Sequence, residues 1–344
     1  MAERNFLLLR LDGIGDALVC VPALEALRTA YPHATFGALC SPRNAALFSG
    51  TRMTRVHVLS SDEDPAERAR VATELRASHY TDALIATEEP IGYSLGLMSG
   101  ARRRAGFWHR FEKPLKSVWQ FAHLTDAVYR PAAWVEEPEH EVNAIHRLAL
   151  RLGAAAHPSS DPVLLRQWLN IEPDAGASTN GALALQVARK WFELGWDARA
   201  LARMTIAALE ASSLQRCVLL AGPDDAGHAR AVLEALPAQQ RDGGTTRSVE
   251  TSTLSRWLGA IGSARALLTP DTGAAHAAGM LGVPVVDVFG PVRFQQLSRQ
   301  WRPWAAPARC LVQPENATQD AAHEFGEAVG IALRDLLAPH EVVS

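Results

Sequence analysis

Long apolar runs are missing from this sequence of 344 residues. No stretch approaches the ~20 apolar residues that a membrane-crossing helix requires, and Phe6–Leu9 is too short for the core of a secretory signal. These absences lead to the expectation of a cytoplasmic protein. Peripheral contact at a membrane, at the inner face of an inner membrane, is left open. Cysteine is scarce. Cys20, Cys40, Cys217 and Cys310 stand singly, without the spacing of a metal knuckle or a redox pair, so reduced and mostly buried thiols are expected. Excess positive charge is lacking too. With a formal net charge of −3, the chain has no basic field for nucleic acid, and anion recognition falls to local clusters. P-loop, H-E-x-x-H and EF-hand patterns do not occur.

What is present is a globular balance, 48% hydrophobic and 21% charged, in a chain long enough for two domains with their own cores. Short apolar runs alternate with helical patterns, the signature of parallel βαβ units. Phe6–Leu11, Thr35–Leu39, Val56–Leu59 and Asp82–Ala86 read as strands in the first half. Ala182–Val187, Cys217–Ala221, Ala266–Thr269 and Val283–Phe289 read as strands in the second. Helices are expected at 17–30 and 65–77, then at 197–212, 224–236, 252–261 and 272–281. Pro22 should kink or restart the first of these. The fold class is therefore α/β, with two Rossmann-like, doubly wound domains in tandem and a cleft between them. The first spans 1–165, the linker 166–181, the second 182–318, and 319–344 forms a final helix and tail; between the halves the Pro- and Gly/Ser/Asn-bearing stretch Ala154–Gly181 has the composition of a linker, with one strand expected at Val163–Arg166.

The first strand runs into Asp12-Gly13-Ile14-Gly15-Asp16 and then a helical pattern. The glycines are suited to close ligand approach and positive φ, and the helix start offers free N–H groups. A dinucleotide fingerprint would need a third glycine, but Leu18 stands there, and no acidic residue follows the second strand. Asp16 then has two readings. It is a carboxylate favoured by the helix dipole, or a general base placed at the mouth of the cleft. The later turn Pro270-Asp271-Thr272-Gly273-Ala274-Ala275-His276 is equally double. It is a plain helix cap, or a cradle in which Thr272, Gly273 and the helix N–H groups hold a diphosphate, with Asp271 and His276 beside it.

The wider context of these turns resembles glycosyltransferase family 9, the ADP-heptose:lipopolysaccharide heptosyltransferases. The R-L-x-x-I-G-D opening at residues 10–16 is similar to that family's start. The block Pro270-Asp271-Thr272-Gly273-x-x-His276, followed by Leu281-Gly282-Val283-Pro284 and Phe289-Gly290-Pro291, resembles its most specific signature. Gly100–Phe107, His140–Asn143 and Gly222–Asp225 add weaker matches, so the resemblance covers about residues 5–295. It implies a GT-B fold and inverting transfer from a nucleotide-diphosphate sugar, ADP-heptose, to a hydroxyl of a lipopolysaccharide-core-like glycolipid or glycan, with no bound metal or cofactor. It also implies roles. Asp16 is the general base; Lys190 meets the diphosphate; Gly15, Asp225, Asp271, Thr272, Gly273 and His276 bind the donor. Closure of the two domains is expected to assemble these groups. The chain departs from the family pattern in three places. Leu185–Ala188 lacks a glycine before Lys190, which brings Arg189 forward as a donor contact; aspartate replaces glutamate at 225; and Asp12-Gly13 replaces a pair of serines. A sugar-nucleotide epimerase of the same architecture and a non-catalytic nucleotide-sugar binder stay open as alternatives.

Two charge features remain. Arg102, Arg103, Arg104, Arg110, Lys113 and Lys116 crowd into fifteen residues against Glu112 alone. They read either as a solvated face or as a clamp for an anionic acceptor, with Arg102, Arg103 and Arg104 as its contacts. Asp62-Glu63-Asp64 has the D-x-D form of a metal site but directly precedes Pro65, and is read as an acidic helix start.

Overall fold

The computed structural model describes residues 4–109, 113–131, 138–173, 179–242 and 246–338, which divide into two compact units, Met1–Asn170 and Ile171–Ser344. In the first unit the strands are β1 Asn5–Arg10, β2 Thr35–Cys40, β3 Arg55–Val58, β4 Asp82–Ile85, β5 Arg103–Trp108 and β6 Asp126–Tyr129. They form one parallel sheet in the order β3-β2-β1-β4-β5-β6. The second unit repeats the plan with β7 Leu183–Gln186, β8 Cys217–Ala221, β9 Thr246–Glu250, β10 Ala266–Pro270, β11 Val285–Phe289 and β12 Ala308–Val312. Their order is β12-β11-β10-β7-β8-β9. Each is a doubly wound sheet whose direction of winding reverses beside its first strand, between β1 and β4 and between β7 and β10. Such switch points leave a crevice at the carboxyl ends of the strands.

The central strands were readable because helices cover both sheet faces, so every position must be apolar. Leu7, Leu9, Ala83 and Ile85 are buried in one core with Val71, Leu75 and Tyr93. Leu183, Leu185, Leu268, Val286 and Val288 anchor the other with Trp191, Val329 and Leu333. β5, β6, β9 and β12 were not anticipated. Three of these are edge strands, and β5 begins with two arginines, so none shows a continuous apolar run.

The expected helix 17–30 is two helices, Ile14–Leu18 and Val21–Ala30, with Pro22 in the first turn of the second. The strand expected at Val163–Arg166 is instead helix. Pro162–Leu165 starts behind Asp161, whose carboxylate accepts from Val163 N–H at 2.8 Å, and Pro162 sits at a position that needs no donor. A 3₁₀ turn at Arg166–Trp168 then places Trp168 edge-on to Phe36, with ring centroids 5.0 Å apart. Its indole Nε1 donates at 2.8 Å to Glu25, a fully buried carboxylate that also pairs with Arg28 and Arg52. Residues 166–170 of the expected linker therefore fold with the first unit; residues 174–178 lie outside the described ones.

The final helix, Gln319–Leu337, packs along Ala198–Ser212 and is integral to the second unit. Glycines permit the approach. A Cβ at Gly326 would lie 2.5 Å from the Met204 carbonyl oxygen, and one at Gly330 would lie 2.7 Å from that of Ala208. Gly326→Val is expected to destabilise the second unit by about 2–3 kcal/mol, because backbone cannot yield as a side chain does. Gly227→Ala, where a Cβ meets nothing within 4 Å, should instead hold or raise the melting temperature through helix propensity. Calorimetry on the pair separates overpacking from a general glycine effect.

Candidate active site

β1 ends at Arg10, and the chain turns through Leu11–Gly13 into the helix Ile14–Leu18. Helix starts leave backbone N–H groups unpaired, and Asp16 answers the first of them: its Oδ2 accepts from Gly13 N–H at 3.1 Å. A Cβ on residue 13 would stand 3.1 Å from that same oxygen. Gly13 has φ of −73°, and neither it nor Gly15 takes a positive φ, so here close approach rather than unusual backbone is what glycine supplies. The other oxygen, Asp16 Oδ1, accepts from Arg10 Nη2 at 2.6 Å. Arg10 is buried, donates to the Ala86 carbonyl as well, and has Nε 3.1 Å from Asp12 Oδ2. Burial acts most strongly against its charge, but Cys20, Asp16, Asp12 and Glu141 together outweigh that and raise its pKa. Asn44, fully buried, braces the turn by donating to the Arg10 and Asp12 carbonyls at 3.1 and 3.2 Å. The Asp16 side chain stays 32% exposed, so a carboxylate locked in one orientation still faces solvent at the β1/β4 switch point.

Beside it, following β4, lies a second ionic group. Glu88 meets His109 Nε2 at 3.1 Å, Lys116 Nζ at 3.4 Å and Arg130 Nε at 3.5 Å, while Arg130 also grips Glu141 in a fork at 2.8 and 3.0 Å. Burial pushes the Glu88 carboxyl up, but the hydrogen bond from His109 and the charges of Arg130, His109 and Lys116 prevail and hold it at about 2. A pocket of about 300 Å³ opens next to Asp12, lined by Ser41, Pro42, Ser60, Asp62 and Glu89 among others.

In the second unit the helix Arg189–Glu193 follows β7, the 3₁₀ turn Pro223–Asp225 follows β8, and the helix Gly273–Leu281 follows β10. All three start at carboxyl ends of neighbouring strands. Lys190 Nζ lies 2.7 Å from Asp271 Oδ2 and also donates to the Asp271 carbonyl. Thr272 caps its helix, Oγ1 accepting from Ala274 N–H and standing 3.0 Å from Thr269 Oγ1. Gly273 begins that helix, and His276, one turn in, is buried edge-on to Trp301. Asp225 Oδ1 is 3.3 Å from His228 Nδ1, and the His228 ring stacks at 4.0 Å on Phe192 of the lysine-bearing helix. A cation, a carboxylate and a helix start bare of side-chain bulk thus meet at the β7/β10 switch point, with Asp225 after the neighbouring β8.

The family model for glycosyltransferase family 9 (heptosyltransferase) matches residues 68–327, well over half of the chain. The chain belongs to this family. By sequence it matches no curated protein significantly. Its fold is that of solved GT-B heptosyltransferases. It is similar to a family 9 glycosyl transferase from Veillonella parvula (16% identity, TM-score 0.72, 95% of this chain and 97% of that one). It is similar to ADP-heptose lps heptosyltransferase II of E. coli (17%, 0.72, 97% and 98%). A third likeness is to E. coli heptosyltransferase WaaC solved with ADP-2-deoxy-2-fluoro heptose (18%, 0.70, 94% and 99%).

Within this family 9 chain, not every residue read as functional lies with the others. Arg102, Arg103 and Arg104 sit at the amino end of β5, whereas Asp16 follows the carboxyl end of the parallel β1. Arg103 donates to the Arg151 carbonyl and lies 3.4 Å from Asp126, Arg104 donates to the His123 and Ala101 carbonyls, and Arg102 is exposed. Strand direction separates them from the switch point by the length of the sheet. Arg110 lies outside the described residues. Arg189 pairs at 3.2 Å with Glu193 on an exposed face, not with Asp271. Asp64 caps the helix Pro65–Ala77, accepting from Ala66 N–H at 2.9 Å, and no cluster of three or more His, Cys, Asp or Glu able to hold a metal occurs among the described residues. Arg10 opens the R-L-x-x-I-G-D motif without a role that sequence assigns, and no motif marks Asn44 or Glu88.

Asp287 is unmarked as well. It lies on β11, registered against Thr269 on β10 and Cys310 on β12, fully buried, with neither carboxylate oxygen hydrogen-bonded among the described residues. Burial first, and the Asp271 charge second, raise its pKa well above the usual carboxylate range, against the pull of Lys190. A carboxyl raised in the folded state binds its proton more tightly there than in the unfolded chain. Its contribution is fully present below the unfolded value and declines as pH rises from there toward the folded one. Asp287→Asn is therefore expected to flatten the dependence of Tm on pH above about pH 4 and to exceed the wild type increasingly as pH rises. Calorimetric scans across that range check it.

Proposed function

We propose that the chain is an inverting, metal-independent transferase that moves heptose from ADP-heptose to a hydroxyl of an anionic, lipopolysaccharide-core-like glycolipid or glycan. Membership of family 9 supports the reaction class. The observation carrying the residue assignment is that Asp16 and the Lys190–Asp271–Thr272 group each occupy the switch point of their own sheet. In this reading the anomeric carbon–oxygen bond to the diphosphate breaks as the acceptor oxygen bonds to the opposite face, and Asp16 takes the acceptor proton. Arg10 and the Gly13 amide hold the carboxylate so that reorientation is not required during transfer. The nascent ADP charge falls on Lys190, drawn from Asp271 to phosphate, and on the amides that begin the helix at Gly273. Asp225 would hold the ribose, and His276 the donor sugar or phosphate. Arg102–Arg104 have no part in this reading of the acceptor site.

The test is a thermal-shift panel of nucleotide sugars followed by turnover. ADP-heptose should raise Tm, and ADP release should depend on acceptor. Conversion of a nucleotide sugar without acceptor would assign an epimerase instead, and binding with no turnover across acceptors would assign a non-catalytic binder.

A further inference from the structure

The helix Pro114–His123 of the first unit packs Trp119 against the core but keeps an apolar outer face. Ser117 and Gln120 face inward, Gln120 donating at 3.1 Å to the hydroxyl of buried Tyr93. The residues it turns to solvent are Pro114, Leu115, Val118, Phe121 and Ala122, all apolar, with Leu115 exposed to 88%, Val118 to 74% and Phe121 to 59%. Folding does not call for this pattern, since a surface helix gains by burying such side chains and wetting its polar ones. The neighbouring helix Pro90–Met98, packed against it, ends with Leu97 and Met98 exposed as well. An apolar outer face of this kind marks a contact surface.

Charge identifies the contact. Lys113 and Lys116 stand at the amino end of the helix, Lys116 also within 3.4 Å of Glu88. At the carboxyl end Arg104 holds the His123 carbonyl and Arg102 is exposed nearby. Residues 90–125 carry six arginines and lysines against Glu112 alone, in a chain whose net charge is −3. A second copy laid on this face would set like charges against each other. An apolar stripe with cations at both ends matches a bilayer interface bearing anionic headgroups. We propose that the outer face of the helix Pro114–His123 docks the first unit on an anionic lipid membrane. No helix among the described residues is long and apolar enough to cross a membrane, so the attachment is peripheral. The inference does not rest on the donor or acceptor named above.

The test is co-sedimentation of the full chain with vesicles of phosphatidylglycerol and phosphatidylcholine, and with phosphatidylcholine alone. Binding to the mixed vesicles, weakened by salt, is expected. The triple variant Leu115→Ser/Val118→Ser/Phe121→Ser should lower partitioning about tenfold or more. Leu115→Asp guards against misfolding. An acid in the first helical turn is favoured by the helix dipole, so this variant keeps its Tm while repelling anionic lipid. Both variants should keep the wild-type response to phosphatidylcholine alone without salt, and Leu115→Asp the wild-type Tm, which separates docking from folding. Failure of the wild type to bind mixed vesicles at low salt, or binding by both variants equal to wild type, overturns the proposal. So does a wild-type dimer in sedimentation velocity that the triple variant dissolves without any vesicle binding.

Discussion

Asp16→Ala is expected to leave the Tm rise caused by the nucleotide-sugar donor intact while lowering kcat by about 10²–10⁴, the usual contribution of a positioned general base. The separation follows from placement. Asp16 belongs to the β1 turn of the first unit, whereas the proposed donor contacts other than Gly15 belong to the second. Removing the carboxylate also takes one partner from buried Arg10, which retains Asp12 and the Ala86 carbonyl, so some loss of stability accompanies the variant. Asp16→Asn is the milder substitution, because its amide oxygen still accepts from Arg10 and cannot take a proton, at the cost of the hydrogen bond from the Gly13 amide. Equal falls in kcat for the two variants, with the Tm of the asparagine form preserved, would assign the loss to proton transfer. Turnover within a few fold of wild type in Asp16→Asn would remove the base assignment.

Lys190→Ala is the second large effect. Its Nζ bridges the Asp271 carboxylate and carbonyl, an arrangement that a diphosphate would replace. Loss of a preorganised positive charge at a developing oxyanion costs about 10²–10³ in kcat, and donor affinity should fall with it, since the ground-state diphosphate meets the same ammonium. Lys190→Arg should recover part of both, as charge is kept while the compact point donor becomes a planar fork. Measured kcat and KM across the three proteins check this. A KM change alone, with kcat unmoved, would mean that Lys190 binds donor without favouring the transition state.

The sequence was legible wherever local chemistry had only one structural outcome. Central parallel strands must be apolar on both faces, so β1, β2, β7, β8, β10 and β11 appeared as runs. The turns after β1 and β10 carried glycine beside Asp16 and Asp271, and both proved to be helix starts. Asp161-Pro162 was an equally local start signal, overlooked because the surrounding prolines suggested a linker.

What the sequence by itself determined is the α/β class, the two Rossmann-like units, and the glycine-bearing turns that stand at their switch points. Periodicity and helix-start rules act within a few residues, and those features are local. Tertiary structure alone decided the rest. It joined Lys190 to Asp271 across 81 positions, sealed Asp287 beneath them, and set Arg102–Arg104 at the far end of the strands from Asp16. It also turned Leu115, Val118 and Phe121 outward. Each of these depends on strand direction and on which face a neighbouring element covers, and neither is encoded in residue spacing.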